Sequence, residues 1–364
     1  MKILKITTVF LLITNLIHAQ STSVPFEEGH WKFPKGAKYQ FETFDGKSTL
    51  FLNGRAETIG HEFHNGTIEV DVYANSKRSF AGISFRHQGQ TMDEVYMRMH
   101  KSKQVDAVQY TPIFNGESNW QLYQQLQANT TFKTSGWNTL KIEVKDKAAR
   151  ISVNGKELLT VDQLRSENPK GGMGLFALFG NRFANFRYTS DNNINIPTQT
   201  PQAPEAGIIQ EWELSAAQIW KPNLKEDINF ESLKGWQKAS TEANGLLPIS
   251  KYVQKTSRGA FEQNAEDYII AQLSIESEQE EVKEFSFDYS DRILVFLNGQ
   301  LLFQGNNAFR SKGLQHTGHL GINGNTLFLP LKQGKNQLQC IIIERGNGWG
   351  LMGKFKDMKG LKVQ

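Results

Sequence analysis

The sequence predicts an all-β protein built as two β-sandwich or jelly-roll domains in series. Three observations predict it. Several segments alternate apolar and polar side chains at period two, the mark of half-buried strands. Two Asn-Gly pairs, Asn154-Gly155 and Asn298-Gly299, sit inside such segments as hairpin turns. Long helical patterns are scarce, and Gly- and Asn-rich turns separate many short strands. The length of 364 residues fits about two domains.

Composition narrows the classes. Charged residues are 21% and hydrophobic residues 38%, which excludes a disordered or fibrous chain. Phe alone supplies 24 residues, enough for sizeable cores. Cys340 is the single cysteine, so no intramolecular disulfide forms, and a zinc site built on thiolates is excluded. A formal charge of +4 is too near neutral for a dedicated nucleic-acid binder.

The elements follow in order. Lys2 and Lys5 precede the apolar run 6–17, then His18-Ala19-Gln20 and a polar stretch. That order predicts a cleaved signal peptide over 1–20 and a secreted or periplasmic protein without a membrane span. No cysteine follows the run, so no lipoprotein anchor is expected. Losing Lys2 and Lys5 lowers the formal charge from +4 to +2. The first sandwich is expected over 24–188, with strands at 67–73, 80–87, 94–100 and 138–144 and a hairpin at 149–161. A linker spans 189–206, carrying Pro197, Pro201 and Pro204. The second sandwich is expected over 207–364, with a hairpin at 292–305 and strands at 326–331 and 337–344. Cys340 falls inside an apolar strand and reads as a buried structural thiol.

Alternation sorts the faces of the first sandwich. Ile68, Val70 and Val72 point one way, so Glu69, Asp71 and Tyr73 point the other. Ala81, Ile83 and Phe85 are core, which puts Ser84 and Arg86 opposite. Val95, Met97 and Met99 are the apolar set of the next strand, leaving Tyr96, Arg98 and His100 together. Gln109, Tyr110, Asn115 and Trp120 follow nearby. The expected arrangement is one polar, aromatic and basic groove. Its catalytic candidates are His100, Tyr96 and Arg98. Its substrate-binding candidates are Arg86, Glu69, Asp71, Gln109 and Trp120. Arg clamps carboxylate or sulfate, Tyr and Trp stack on sugar faces, and His moves a proton near neutrality. The competing reading is an ordinary exposed sheet face with paired charges.

HNGTIEVDVYAN (64–75), FAGISFR (80–86), DAVQYTPIFNGESNWQLY (106–123), WNTLKIEVKDKAARISVNGKEL (137–158) and GGMGLFAL (171–178) carry a family likeness. Residues 24–188 resemble the concanavalin A-like lectin and glucanase sandwiches, most of all the 3-keto-disaccharide hydrolase-like domain. The resemblance implies a two-sheet jelly roll whose concave face meets an oligo- or polysaccharide. Glu69-Val70-Asp71-Val72 opens like the laminarinase motif, but the second Glu is missing, so standard two-carboxylate hydrolysis is not expected. Jelly-roll alginate-type lyases use Arg, Gln, His and Tyr on the concave sheet. Their motifs are absent here, yet Arg86, Tyr96, Arg98, His100 and Gln109 supply those residue types. The favoured expectation is a carbon–oxygen lyase or dehydratase on uronate-containing saccharide. The alternatives are a non-catalytic carbohydrate-binding protein and a 3-keto-type glycoside hydrolase. The resemblance requires no cofactor and admits a structural calcium ion. FSFDYSDRILVFLNGQLLFQG (285–305) and LFLPLKQGKNQLQCIIIE (327–344) resemble a galactose-binding-like jelly roll, in which Trp220, Trp236, Arg345 and Trp349 are ligand or core candidates. His61 with His64 and His316 with His319 are i, i+3 pairs without an obvious carboxylate partner, and no metal site is assigned to them.

Overall fold

The computed structural model describes residues 20–75, 77–200, 202–221, 235–256 and 266–364. The export signal expected over 1–20 lies, except for Gln20, outside the described residues. Among the described residues no helix is long and apolar enough to cross a membrane.

The expected strands form. The period-two segments become Gly66–Asn75, Phe80–Gln88, Thr91–Arg98 and Ser135–Lys145. Both Asn-Gly pairs turn hairpins, with Asn154 and Asn298 at φ 52° and 51° and Gly155 and Gly299 at 77° and 79°. Positive φ at both central residues matches the right-handed twist of the flanking strands. One end differs from expectation. The strand expected to reach residue 100 stops at Arg98, and Met99–Lys101 form a 3-10 turn. The Met99 amide donates to the Ser79 carbonyl at 3.0 Å and leaves the ladder.

All strands of the first sandwich belong to one antiparallel system wrapped around a core. The long Gly172–Ser190 strand pairs with Phe80–Gln88 through its first half and with Gly66–Asn75 through its second. Its register shifts between Ala177 and Asn181, where Phe179 and Gly180 have φ 68° and 78°. That bend folds the system into two layers. Ile68, Val70 and Val72 from one layer meet Ile83, Phe85, Val95 and Met97 from the other in a single buried cluster.

A second sandwich follows the irregular segment 191–210. Its larger sheet is centred on Asp267–Ser277, Gly334–Glu344 and Arg292–Leu297, and its smaller one on Glu281–Ser290 and Gly350–Phe355. Between them pack Ile269, Phe285, Phe287, Val295, Ile342 and Trp349. Cys340 lies in this core as expected, and burial pushes its thiol up to about 12. The Trp349 indole donates to the Ile342 carbonyl at 3.3 Å, so this tryptophan is core rather than ligand surface. Trp220 and Trp236 pack beside Tyr268 on the outer side of the larger sheet.

The two sandwiches touch. Leu122 and Tyr123 of the first join Leu246, Leu320 and Met352 of the second in one apolar cluster. Polar bonds flank it, including Tyr123 Oη to Glu242 Oε1 at 2.6 Å and Ser250 Oγ to Asn119 Oδ1 at 2.6 Å.

Candidate functional site

Paired positions on neighbouring antiparallel strands put their side chains on the same face. The registers therefore lay out the outer face of one layer row by row. One row reads Glu57, Gly174, Ser84, Glu94, Thr111. The next reads Arg55, Phe176, Gly82, Tyr96, Gln109, Gln127. The third reads Leu178, Phe80, Arg98. Glycine at 82 lowers the centre of the middle row, and the Tyr96 and Phe176 rings meet across it at 5.9 Å.

Arg98 is the hub. The residue is only 4% exposed, and a buried cation is costly unless it is paired. Nη2 donates to Tyr96 Oη at 2.9 Å and to Gln109 Oε1. Nη1 donates to the Asp106 carbonyl at 2.7 Å, and the Asp106 carboxylate stands 4.0 Å from Nε. The cation lies 5.0 Å from the Tyr96 ring centre and 5.8 Å from that of Trp120. Gln109 is fully used. Its Oε1 also accepts from Tyr96 Oη at 3.2 Å and from Gln127 Nε2 at 3.1 Å, while its Nε2 donates to the Trp120 carbonyl at 2.7 Å. Burial pushes the Tyr96 phenol up to about 12 against the pull of Arg98, so the hydroxyl stays protonated and keeps its bond to Gln109.

Histidine and further aromatics border the hub. His100, just beyond the strand end, packs on Phe80 with ring centres 5.2 Å apart, its Nδ1 3.4 Å from the Ser79 carbonyl. Burial holds its imidazole below the usual 6.5, so it is a neutral proton acceptor at neutral pH. Phe80 also approaches Phe179, which is 56% exposed, and Arg78 lies over both rings.

The structure brings Tyr96, Arg98, Gln109 and Trp120 together, with His100 in the turn just beyond the strand. Arg86, Glu69, Asp71 and Asn115 are not brought there. Arg86 was placed on this face by alternation, but the register shifts between Phe85 and Gln88 and Arg86 takes φ 55°. The bulge turns its side chain to the end of the core. There it donates to the carbonyls of His64 at 2.7 Å and Asp146 at 2.7 Å and to Asn65 Oδ1 at 3.2 Å. Arg86 is therefore a loop tie, not a groove residue. Glu69 and Asp71 lie on the outer face of the opposite layer, because their strand faces the same core from the other side. Glu69 pairs with Arg187 at 2.6 Å. Burial pushes the Asp71 carboxyl up, but hydrogen bonds from Lys47 at 2.9 Å, Thr139 at 2.7 Å and Asn185 at 2.7 Å outweigh it and hold the group below its usual value. Asn115 points to the second sandwich and donates to the Ser250 carbonyl at 2.8 Å.

Other groove residues went unread. Glu94 is 1% exposed and pairs with Arg55 at 2.6 Å; burial pushes its carboxyl up and Arg55 works against it. Arg55 in turn lies 4.9 Å over Phe176. Glu94 was legible, since it shares the parity of Tyr96 and Arg98. Arg55 and Phe176 were not, because strand order is not written in the sequence. His61 meets the Tyr188 hydroxyl at 3.0 Å, and among the described residues no three His, Cys, Asp or Glu assemble as a metal cluster.

The fold is all-β, antiparallel sheets packed as sandwiches. Residues 28–189 match the family described as the 3-keto-alpha-glucoside-1,2-lyase-like domain, which is the likeness the sequence motifs carried. Similar solved structures include carbohydrate binding module CBM66 from Bacillus subtilis, at 15% identity and a TM-score of 0.36, covering 44% of this chain and 96% of that one. The β-glucanase of Bacillus licheniformis is 16% identical with a TM-score of 0.34, covering 47% of this chain and 98% of that one. A lichenase from a mouse hindgut metagenome is 12% identical with a TM-score of 0.35, covering 47% and 98%. No curated protein matches the chain.

Proposed function

We propose that this protein is a secreted carbohydrate-active enzyme that works at the Tyr96–Arg98 face as a carbon–oxygen lyase. The observation that carries the reading is the buried Arg98 cation, bonded to Tyr96 and Gln109 beneath Trp120, with a neutral histidine beside it. The lyase-like family match over 28–189 supports it.

Elimination needs few groups. A base removes the proton on the carbon next to a carbonyl. The C–H electrons form a carbon–carbon double bond, and the C–O bond one carbon further breaks with its electron pair. The departing oxygen takes up a proton. His100 is the base. The field of the Arg98 cation stabilises the negative charge that develops on the carbonyl oxygen. Trp120 and Phe80 supply apolar faces for the sugar ring.

Two substrates share this chemistry. In a 3-keto-α-glucoside the ketone acidifies C2–H and the C1–O bond breaks. In a uronate the carboxylate acidifies C5–H and the C4–O bond breaks. The pairing of Arg98 with Asp106, Tyr96 and Gln109 favours the neutral keto sugar, because a guanidinium so engaged has little left for a bidentate carboxylate clamp. The uronate reading is favoured by Arg78, which lies on the exposed Phe80–Phe179 platform.

The purified chain is incubated with 3-keto-α-glucosides and with uronate oligosaccharides, and product mass and ultraviolet absorbance are followed. A product with a new double bond is expected. Arg98→Ala and His100→Ala should each lower turnover by about 10²–10⁴-fold with the fold intact. Full activity in both variants would place the chemistry on another face. Binding without product across both series would make the protein a carbohydrate-binding module.

A further inference from the structure

The two sandwiches leave a cleft of about 860 Å³ between them. Three parts of the chain wall it: residues 160–167 with Gln125 and Leu126 from the first sandwich, residues 240–252 from the second, and the connection at 198–200. Leu126 also packs on the apolar cluster that joins the two sandwiches, so the cleft opens beside that contact. The connection is tied down here. Ile196 is buried, and the Gln199 amide donates to Asp162 Oδ1 at 3.1 Å. The volume lies within the range of about 300–1,000 Å³ usual for ligand sites.

Charge in the lining is balanced. Lys147, Arg165 and Lys251 face Asp162, Glu167 and Glu242. Two of the pairs span the domains: Arg165 Nε with Glu242 Oε2 at 3.2 Å, and Lys251 Nζ with Glu167 Oε1 at 2.9 Å. A charged ligand would have to compete with these pairs for its counter-ion. Most of the remaining lining is amide and hydroxyl. The side chains of Gln125, Gln163 and Gln199 are exposed and make no hydrogen bond among the described residues. Each offers an N–H donor beside a carbonyl acceptor, the pair that neighbouring hydroxyls of a sugar can bind at once. Tyr252, its hydroxyl donating to the Ser240 carbonyl at 2.8 Å, and Leu126 add apolar wall for a ring.

We propose that this interdomain cleft is a second saccharide site, separate from the Tyr96–Arg98 face, and that it takes a neutral oligosaccharide of a few units. Both sandwiches and the connection contribute to it, so the site exists only in the two-domain chain. Its role is to hold a neutral stretch of glycan, and it stands independently of the chemistry assigned to the Tyr96–Arg98 face.

The test uses the full chain. Cellotetraose, laminaritetraose and maltotetraose are titrated by calorimetry at pH 7, with a tetrauronate as the charged comparison. Ala243→Trp places an indole in the cleft, and Gln163→Ala removes an unbonded amide from its wall. Arg98→Ala alters the other face. Thermal unfolding of each variant is recorded, and the exposed truncation Gln163→Ala decides the matter should Ala243→Trp melt early. At least one neutral tetraose is expected to bind the parent. Its binding should be about tenfold or more weaker in Ala243→Trp, about threefold to tenfold weaker in Gln163→Ala, and within about threefold of the parent in Arg98→Ala. Binding lost in Arg98→Ala and kept in both cleft variants puts the sugar on the Tyr96–Arg98 face; that overturns the inference and leaves the groove reading standing. Tetrauronate binding that is tighter than that of every neutral tetraose and is lost in Ala243→Trp overturns the neutral class. If no neutral tetraose binds the parent, the inference fails alone, because the groove reading is decided by its own product assay.

Discussion

Arg86 and Arg98 carry the same charge on adjacent strands, and strand alternation alone treats them as equals. One bulge separates their fates. Arg98 stays in register and meets Tyr96 and Gln109, whereas Arg86 turns at φ 55° and spends its guanidinium on backbone carbonyls. Removing it leaves those buried carbonyls without their donor. Arg86→Met should therefore cost about 3 kcal/mol or more in a denaturant titration, with the affinity of the folded protein for saccharide unchanged. Lost affinity at unchanged stability would return Arg86 to the groove. Tyr96 and Gln109 were legible at this scale because their two strands, Thr91–Arg98 and Val108–Phe114, keep a regular period. Glu69 and Asp71 were legible as an outward pair, but the layer they belong to was not.

At the scale of the strand, the groove depends on one glycine. A Cβ on Gly82 would stand 2.0 Å from the Val95 carbonyl oxygen and 2.5 Å from the Tyr96 Cα. Both are backbone atoms of the neighbouring strand and cannot swing aside. Gly82→Ala should thus force the two strands apart, destabilise the sandwich by about 1–3 kcal/mol, and weaken saccharide binding by displacing Tyr96. Circular dichroism melts and calorimetry read the two effects, and a variant that melts and binds like the parent would show that the sheet tolerates the methyl group. Hairpins were the most legible elements, since Asn-Gly fixes its own turn. The strand end at Arg98 was less so, because a distant carbonyl, that of Ser79, draws Met99 out of the ladder.

Across the whole molecule, buried histidines link stability to pH. His87 is held down to about 4, by burial first and by Arg55 next, with Glu57 opposing them. The sign follows from proton binding. Between pH 6.5 and about 4 the unfolded chain binds a proton at this imidazole and the folded chain does not, so stability present above 6.5 is lost as pH falls through that window. A shift from 6.5 to about 4 is worth up to about 3 kcal/mol. The buried carboxyls Glu94, Glu242 and Glu344 are pushed up and act in the opposite sense, so the histidine contribution is read as a difference. His87→Gln should flatten the unfolding-temperature profile between pH 6.5 and 4 relative to the parent. Parallel profiles would mean that His87 titrates normally in the fold.

The sequence by itself determined the local structure: alternating strands, two Asn-Gly hairpins, a proline-rich connection, a buried lone cysteine, and the shared parity of Tyr96 and Arg98. These follow from interactions within a few residues, where period and turn chemistry suffice. The tertiary structure decided which strands are neighbours, which layer a polar face belongs to, where a bulge reverses it, and which loop of the second sandwich stands against Trp120. Those are set by contacts between residues far apart in the chain, such as Trp120 with Asn347 and Glu94 with Arg55, and no local pattern encodes them.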